Sequence, residues 1–252
     1  MGSDFLLFSK VPWDTKLFGL DVFSLESWTI STQVSAIDSK AWRTNVLSTV
    51  GGQPAILVGR VPAKEDALRV TLGAIGMSIV EWTLHPELDL DTYQPNMSTN
   101  LKMRIASEGD ITWLLSEAQD AFEVSRFFRD PFVPKDLAAK RFKVWVETSL
   151  NEPSKDVFVF ENIDHQPIGF FVVSVKGESA NLELTAITSA RRGQGWSGPV
   201  WEAYLVHAKS SGLKRVSTNI SAENSAVLGI YPKLGFRFGS SSVAMHGHFP
   251  LP

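Results

Sequence analysis

Cysteine is absent from this sequence. Its absence excludes disulfides, thiolate-bound zinc, iron–sulfur clusters and a cysteine nucleophile together. An excess of one charge is missing too: 24 Lys and Arg stand against 27 Asp and Glu, a net charge of -3. With no polybasic block, neither nucleic acid nor a membrane is expected as a partner, although a local basic pocket stays open. Long apolar runs are lacking as well. Stretches such as residues 71–80 fall well short of the ~20 apolar residues that a bilayer span needs. The first residues carry Leu6 where myristoylation needs Ser or Thr, and no basic start of a secretory signal. The expected compartment is the cytoplasm, where the glycosylation-like triplets at Asn96 and Asn219 carry no meaning. Glycine and proline, 18 and 13 residues, are neither rich nor poor, so collagenous and disordered chains do not fit.

What is present is 252 residues of ordinary globular composition, enough for one to two domains at about 150 residues each. A polar stretch of turn formers at residues 89–100 reads as a linker, with domains expected over 1–94 and 100–252. The first half shows strand-like runs at 55–61 and 77–84, around a helix at 63–72 that Gly73 should stop. Beyond the linker Asp110 can cap a helix whose apolar residues Ile111, Leu114, Leu115, Ala118 and Phe122 keep helical spacing. A second helix is expected over 134–150. Strands follow at 157–161, 168–175 and 181–187, the first two joined by a hairpin loop. Then come a glycine-rich turn, a helix to about Ser210, a strand at 214–220, a helix at 222–234 and a strand at 236–246.

The strongest local signal is Leu184-Thr185-Ala186-Ile187-Thr188-Ser189-Ala190-Arg191-Arg192-Gly193-Gln194-Gly195-Trp196-Ser197-Gly198. A strand enters a turn of glycines and small residues, and the turn opens a helix. Unpaired N–H groups and the positive end of the helix dipole collect there, and glycines let an anion approach the main chain. Arg191 and Arg192 can add charge. Taken alone, the glycines fit a pyrophosphate cradle and an ordinary strand-to-helix turn equally well. A dinucleotide site needs G-x-G-x-x-G and a P-loop needs Gly-Lys-Ser or Gly-Lys-Thr; neither is here.

Arg191-Arg192-Gly193-Gln194-Gly195 after a strand, Asn224 with Tyr231 seven residues later, and Leu234-Gly235-Phe236 together resemble the CoA-dependent N-acetyltransferase superfamily, the GNAT fold. The resemblance covers about residues 100–246. It implies an α/β fold: a mixed, mostly antiparallel sheet flanked by helices, preceded by a smaller, incomplete GNAT-like α/β domain. It implies acetyl-CoA as co-substrate and no metal. In that family the turn, here Arg192, Gly193, Gln194, Gly195, Trp196, Ser197 and Gly198, binds the CoA pyrophosphate. The preceding strand, here Ala186 and Ile187, holds the pantetheine, and Asn224 touches CoA. Tyr231 would sit by the thioester sulfur and protonate the leaving thiolate.

A narrower match spans both halves. Trp13-Asp14-Thr15-Lys16-Leu17-Phe18-Gly19 resembles the opening of the TDP-fucosamine acetyltransferase family, and Ser125-Arg126-Phe127-Phe128-Arg129-Asp130-Pro131 resembles a second segment of it. That family implies transfer of acetyl to the amine of a nucleotide-linked (dTDP) amino-deoxysugar, a small anionic acceptor. Four positions depart from these patterns: Phe128 replaces a His, Ala190 a Gln or Arg, Val227 an Ala, and Pro232 follows Tyr231.

Each candidate also has a plain reading. Tyr231 follows Val227 by four residues and could be helix packing. Asn181 stands where some members carry a catalytic Glu. Glu183, on the same strand, could bind the attacking amine through water or be a solvated strand residue. Arg126 and Arg129 could meet acceptor phosphates or form a solvated loop. His85, His165, His207, His246 and His248 form no metal pair at useful spacing and read as surface or satisfied core residues. Trp13 and Asp14 read as packing and turn residues. Two other functions stay open: a GNAT acetylating an antibiotic or polyamine, and a non-catalytic acyl-CoA-binding protein. A homodimer is left open.

Overall fold

The computed structural model describes residues 4–31, 38–95 and 100–249. The Asn96 triplet, part of the expected linker and the first three residues lie outside them. The chain groups into two compact units, Met1–Thr83 with Ser125–Leu137 and Ser240–Pro252, and Leu84–Val124 with Ala138–Gly239.

In the first unit β1 (Phe5–Lys10) runs antiparallel to β2 (Asp21–Thr29), with α1 (Pro12–Phe18) between them. Pro12 suits the first turn of α1, and Gly19 at φ 69° ends it with its N–H on the Thr15 carbonyl. The Trp13-Asp14-Thr15 motif therefore builds a helix, and Thr15 Oγ1 accepts from the Val22 N–H at 3.0 Å. A parallel strand needs a crossover. Here α2 (Ser39–Thr49) carries the chain from β2 to its parallel neighbour β3 (Ala55–Pro62). Then follow α3 (Asp66–Ala74) and β4 (Ser78–Asp89), whose first half belongs to this unit. The last strand, β11 (Arg237–Phe249), pairs antiparallel with β3, Val61 opposite Val243 and Gly59 opposite Met245. Val61, Val243 and Met245 share a core with Leu57, Leu68 and Leu72. The helix stop differs from expectation. Gly73 lies inside α3, and the left-handed residue is Gly76 at φ 103°.

The second unit carries β5 (Lys102–Ile105), β6 (Lys155–Glu161), β7 (Pro167–Lys176) and β8 (Ser179–Ile187), each antiparallel to the next. β9 (Arg215–Thr218) lies parallel to β8, and the second half of β4 lies antiparallel to β9. The mixed, mostly antiparallel sheet is the expected fold class. α7 (Ser197–Ser210) makes the crossover from β8 to β9. Its Trp201, Tyr204 and Leu205 pack with Phe160, Phe171 and Val216. Each such buried side chain is worth ~1.5–3 kcal/mol, so this helix is held by its packing face. α4 (Ile111–Asp120) and α6 (Lys135–Leu150) complete the set.

Three expectations are corrected here. Asp110 does not cap α4: it closes a capping box with Ser107 on the preceding 3-10 turn and holds Arg104 at 2.7 and 2.8 Å. The strand expected at 214–220 breaks at Asn219, and Ile220–Ser221 forms a separate strand, β10, on β4. The helix expected at 222–234 divides into α8 (Ser225–Leu228) and a 3-10 turn, Tyr231–Leu234. Pro232 has no N–H to offer the Leu228 carbonyl, which explains the break.

Candidate active site

The site begins where two parallel strands part. The β8–β9 ladder runs from Ser179 opposite Arg215 to Leu182 opposite Thr218, and stops there. β8 stays paired to β7 as far as Ile187 opposite Gly169. One residue later than the last β9 pair, β8 bulges: Val172 faces Leu184 while Val173 faces Leu182, so Glu183 is the extra residue. A bulge raises local twist and re-aims side chains, which suits strands that diverge. Ala186 and Ile187 lie on the diverging part.

Tyr231 comes to this place from the chain's other end. Its ring stacks on Phe236 at 4.8 Å and meets Trp201 edge-on at 4.9 Å. The whole residue is buried, and its hydroxyl finds no hydrogen-bond partner among the described residues. Beside that hydroxyl stand Thr218 and Thr185, one on each strand at the parting. The Thr218 hydroxyl is itself committed to the Leu182 carbonyl at 2.8 Å. Burial pushes the phenol well above its usual pKa, with Thr218 and Thr185 pulling the other way. It is a fully protonated group at the gap.

The glycine turn leads from β8 into α7. Gly193 and Gly195 take φ 73° and 82°, a region that side-chain-bearing residues avoid. The turn is tied down on all sides. Glu117 accepts from the Ser189 N–H at 2.7 Å and from its hydroxyl at 3.1 Å. Gln194 Nε2 donates to the Ala190 carbonyl at 2.9 Å. Arg192 reaches the Ile187 carbonyl at 3.3 Å and that of Asp120 at 3.4 Å, and Arg191 bonds to Gln166. Trp196 sits at the start of α7, with Ser197 and Gly198 in its first turn. Asn224 caps α8, its Oδ1 accepting from the Val227 N–H at 3.3 Å.

Glu183 is not a solvated residue. Lys155 Nζ lies 2.9 Å from its Oε2, and Trp145 Nε1–H donates to the same oxygen at 3.0 Å. Arg126 and Arg129 fall in the first unit, on a one-turn helix, α5 (Arg126–Arg129), rather than in a loop. Arg126 lies over the Phe127 ring at 5.0 Å.

Two clusters escaped the sequence reading. His246 and His248 are not isolated: both donate to Asp130 Oδ2, at 2.7 and 2.8 Å. Their two-residue spacing puts both on one face of β11, a signal the sequence did contain. Burial would raise Asp130, but the two imidazoles and the Phe132 N–H hold it well below the usual carboxylate range. Burial and the nearby Arg126 lower His246 to about 4, against the pull of Asp130. The second cluster is His85 with Asn219, whose Oδ1 meets the His85 Nδ1. Nothing in their spacing of 134 residues announces it.

Parallel strands that part, with a glycine turn leading from one of them into a helix, define a fold of the N-acetyltransferase type. Residues 117–236 match the acetyltransferase (GNAT) family. The chain therefore carries a GNAT acetyltransferase domain. Over 138 residues it is 22% identical to the spore coat polysaccharide biosynthesis protein SpsD of Bacillus subtilis, 55% of this chain. The match spans 47% of that relative, about half its length. A solved GCN5-related N-acetyltransferase from Sphaerobacter thermophilus superposes with TM-score 0.65 at 11% identity, over 97% of this chain and 76% of that one. A tandem GNAT protein from the clavulanic acid biosynthesis pathway superposes with TM-score 0.58 at 13% identity, over 90% of this chain and 75% of its own. At those identities the likeness shows the fold. Among the described residues no helix is long and apolar enough to cross a membrane.

Proposed function

We propose that this chain transfers acetyl from acetyl-CoA to the amine of a nucleotide-linked amino-deoxysugar, a dTDP sugar, by direct attack. In this reading residues 100–252 are the catalytic domain, residues 1–94 its GNAT-like companion, and the cytoplasm the place of action. The observation that carries it is the protonated, unpartnered Tyr231 hydroxyl at the parting of β8 and β9. Ala186 and Ile187 bind the pantetheine, residues 192–198 hold the pyrophosphate on backbone N–H groups, and Asn224 supports the same side. The neutral amine attacks the thioester carbonyl, and Tyr231 gives its proton to the departing sulfur. The desolvation that keeps the phenol protonated also raises the thiol that receives the proton, so the transfer stays within reach. Sugar as the acceptor is supported by the polysaccharide role in the name of the Bacillus relative.

The test is a screen of nucleotide-linked amino sugars with acetyl-CoA, reading free thiol release. Release should depend on the amino sugar, and Arg126→Ala or Arg129→Ala should raise the acceptor KM more than the acetyl-CoA KM. Preference for a polyamine or aminoglycoside would replace the acceptor class. Acetyl-CoA binding without thiol release for any amine would leave a non-catalytic acyl-CoA-binding protein.

A further inference from the structure

Arg126 and Arg129 sit on a helix of one turn, and we infer that Asp130, clamped by His246 and His248, is the residue that positions them for the acceptor. The inference rests on the reading above, in which the two arginines bind an anionic amino sugar. Every residue in it belongs to the first unit.

α5 cannot orient itself. It has four residues, closed by the Arg129 N–H on the Ser125 carbonyl at 3.0 Å and the Asp130 N–H on the Arg126 carbonyl at 3.1 Å. A helix this short is unstable alone and takes its direction from what it is fastened to. Two fastenings are present. Phe127 is fully buried, its ring stacked on Phe18 at 5.4 Å and lying 4.8 Å from the His246 ring. Phe18 ends α1, so the two segments that resemble one family in the sequence, 13–19 and 125–131, meet at this ring pair. The second fastening is Asp130, which directly follows Arg129.

Apolar contact holds the turn down but leaves its angle free, because hydrophobic attraction has no direction. A carboxylate supplies direction, since hydrogen bonds constrain angle as well as distance. His246 Nδ1–H and His248 Nε2–H both donate to Asp130 Oδ2, at 2.7 and 2.8 Å, and the Phe132 N–H donates to Oδ1 at 3.0 Å. An ionised carboxylate can only accept, so each imidazole carries its proton on the nitrogen that faces Asp130. Both imidazoles stand on β11, whose pairing with β3 sets His246 opposite Val58 and His248 opposite Ile56. Two donors from one strand, converging on one oxygen, fix the carboxylate against the sheet and the end of α5 with it. An apolar side chain in this place would spare the cost of a buried charge, but it would not set the angle. Arg126 and Arg129, three residues apart, are neighbours on the helix surface, the first half-buried and the second exposed. An acceptor that meets both needs the turn at one angle. The clamp includes no residue assigned to acetyl-CoA, so its loss should read out on the acceptor.

The experiment uses the full chain with acetyl-CoA and dTDP-4-amino-4,6-dideoxygalactose, reading thiol release. Asp130→Ala should raise acceptor KM about tenfold, the size of one hydrogen bond to a charged group, with kcat and the acetyl-CoA Kd within about twofold. The same substitution in the Arg126→Ala, Arg129→Ala chain should change acceptor kcat/KM by less than about twofold, because a residue that acts through the arginines then has nothing to position. An amide can copy one imidazole nitrogen. His248→Gln keeps a donor where Nε2 stands and should hold acceptor KM within about twofold of the parent, whereas His248→Leu should raise it about tenfold. This pair decides the matter where Asp130→Ala fails to fold. A full Asp130→Ala effect in the chain without the two arginines overturns the proposal, as does an equal acceptor KM in His248→Leu and His248→Gln. Arg126→Ala and Arg129→Ala chains with the parent's acceptor KM, or a parent that acetylates no nucleotide amino sugar, would instead remove the acceptor reading and the clamp's role with it.

Discussion

Tyr231 combines two properties that pull apart in a single substitution. Its ring is packed between Phe236 and Trp201, while its hydroxyl is buried without a hydrogen bond. A buried hydroxyl with no partner costs ~1–3 kcal/mol of desolvation. Such a group persists when something other than stability retains it, and here it lies at the parting of the strands. Tyr231→Phe keeps the ring and removes the unsatisfied oxygen. The melting temperature should hold or rise, acetyl-CoA affinity should change little, and kcat should fall by about 10²-fold or more. A core tyrosine of no chemical use would give the first two results with a near-normal kcat. Measured where chemistry limits turnover, kcat decides between them.

The glycine turn carries the corresponding prediction for an element. Gly195 at φ 82° has open space where a Cβ would stand, so a side chain there meets no neighbour. The cost of Gly195→Val is in the backbone, ~1–2 kcal/mol for holding a branched residue in the left-handed region, and it falls on the residues that aim the first turn of α7. Acetyl-CoA binding should weaken at least tenfold by calorimetry, while the Tyr231→Phe variant binds normally; unchanged affinity for Gly195→Val would remove the cradle. The turn was legible because glycine, strand and helix signals coincide in 15 residues, Leu184 to Gly198. The first unit was far less so. β2 shows no alternation of burial along its nine residues, and α2 buries only Val46, so neither leaves a periodic apolar pattern. Gly73 misled because an exposed helix face tolerates glycine near its end, and the true stop needed the positive φ found three residues later. Pro232 was visible, yet that it would split the helix and start a new turn at Tyr231 follows from the packing of that ring. Asn219, His85 and Glu183 owe their partners to register between strands distant in sequence, which no single-chain spacing encodes.

For the molecule as a whole, the near balance of charge at pH 7, -3 in 252 residues, holds while most carboxylates stay ionised, so general repulsion builds only below about pH 4. Acid sensitivity should instead come from particular buried groups, and His246 is the first to act. Its folded-state pKa is lowered to about 4 by burial and by Arg126, against an ordinary value near 6.5. A depressed imidazole pKa means that the unfolded chain binds a proton the folded chain refuses. Between pH 6.5 and 4 the unfolded state thus holds more protons, and stability falls as pH falls, by at most ~1.4 kcal/mol per pH unit for one site. Across that window the loss approaches ~3 kcal/mol, a large share of the 5–15 kcal/mol typical of a folded domain. Asp130, held well below the carboxylate range by His246 and His248, adds its own loss only as pH drops under the usual carboxylate value. The two contributions therefore separate by pH. Urea unfolding between pH 6.5 and 5 should show the His246 slope in the parent chain. His246→Phe leaves the aromatic contact with Phe127 in place and has no proton to bind, so its stability should start lower, with Asp130 short of a donor, and stay flatter over the same interval. Equal slopes in the two chains would show that His246 is protonated as readily folded as unfolded, and that acid destabilisation has another source.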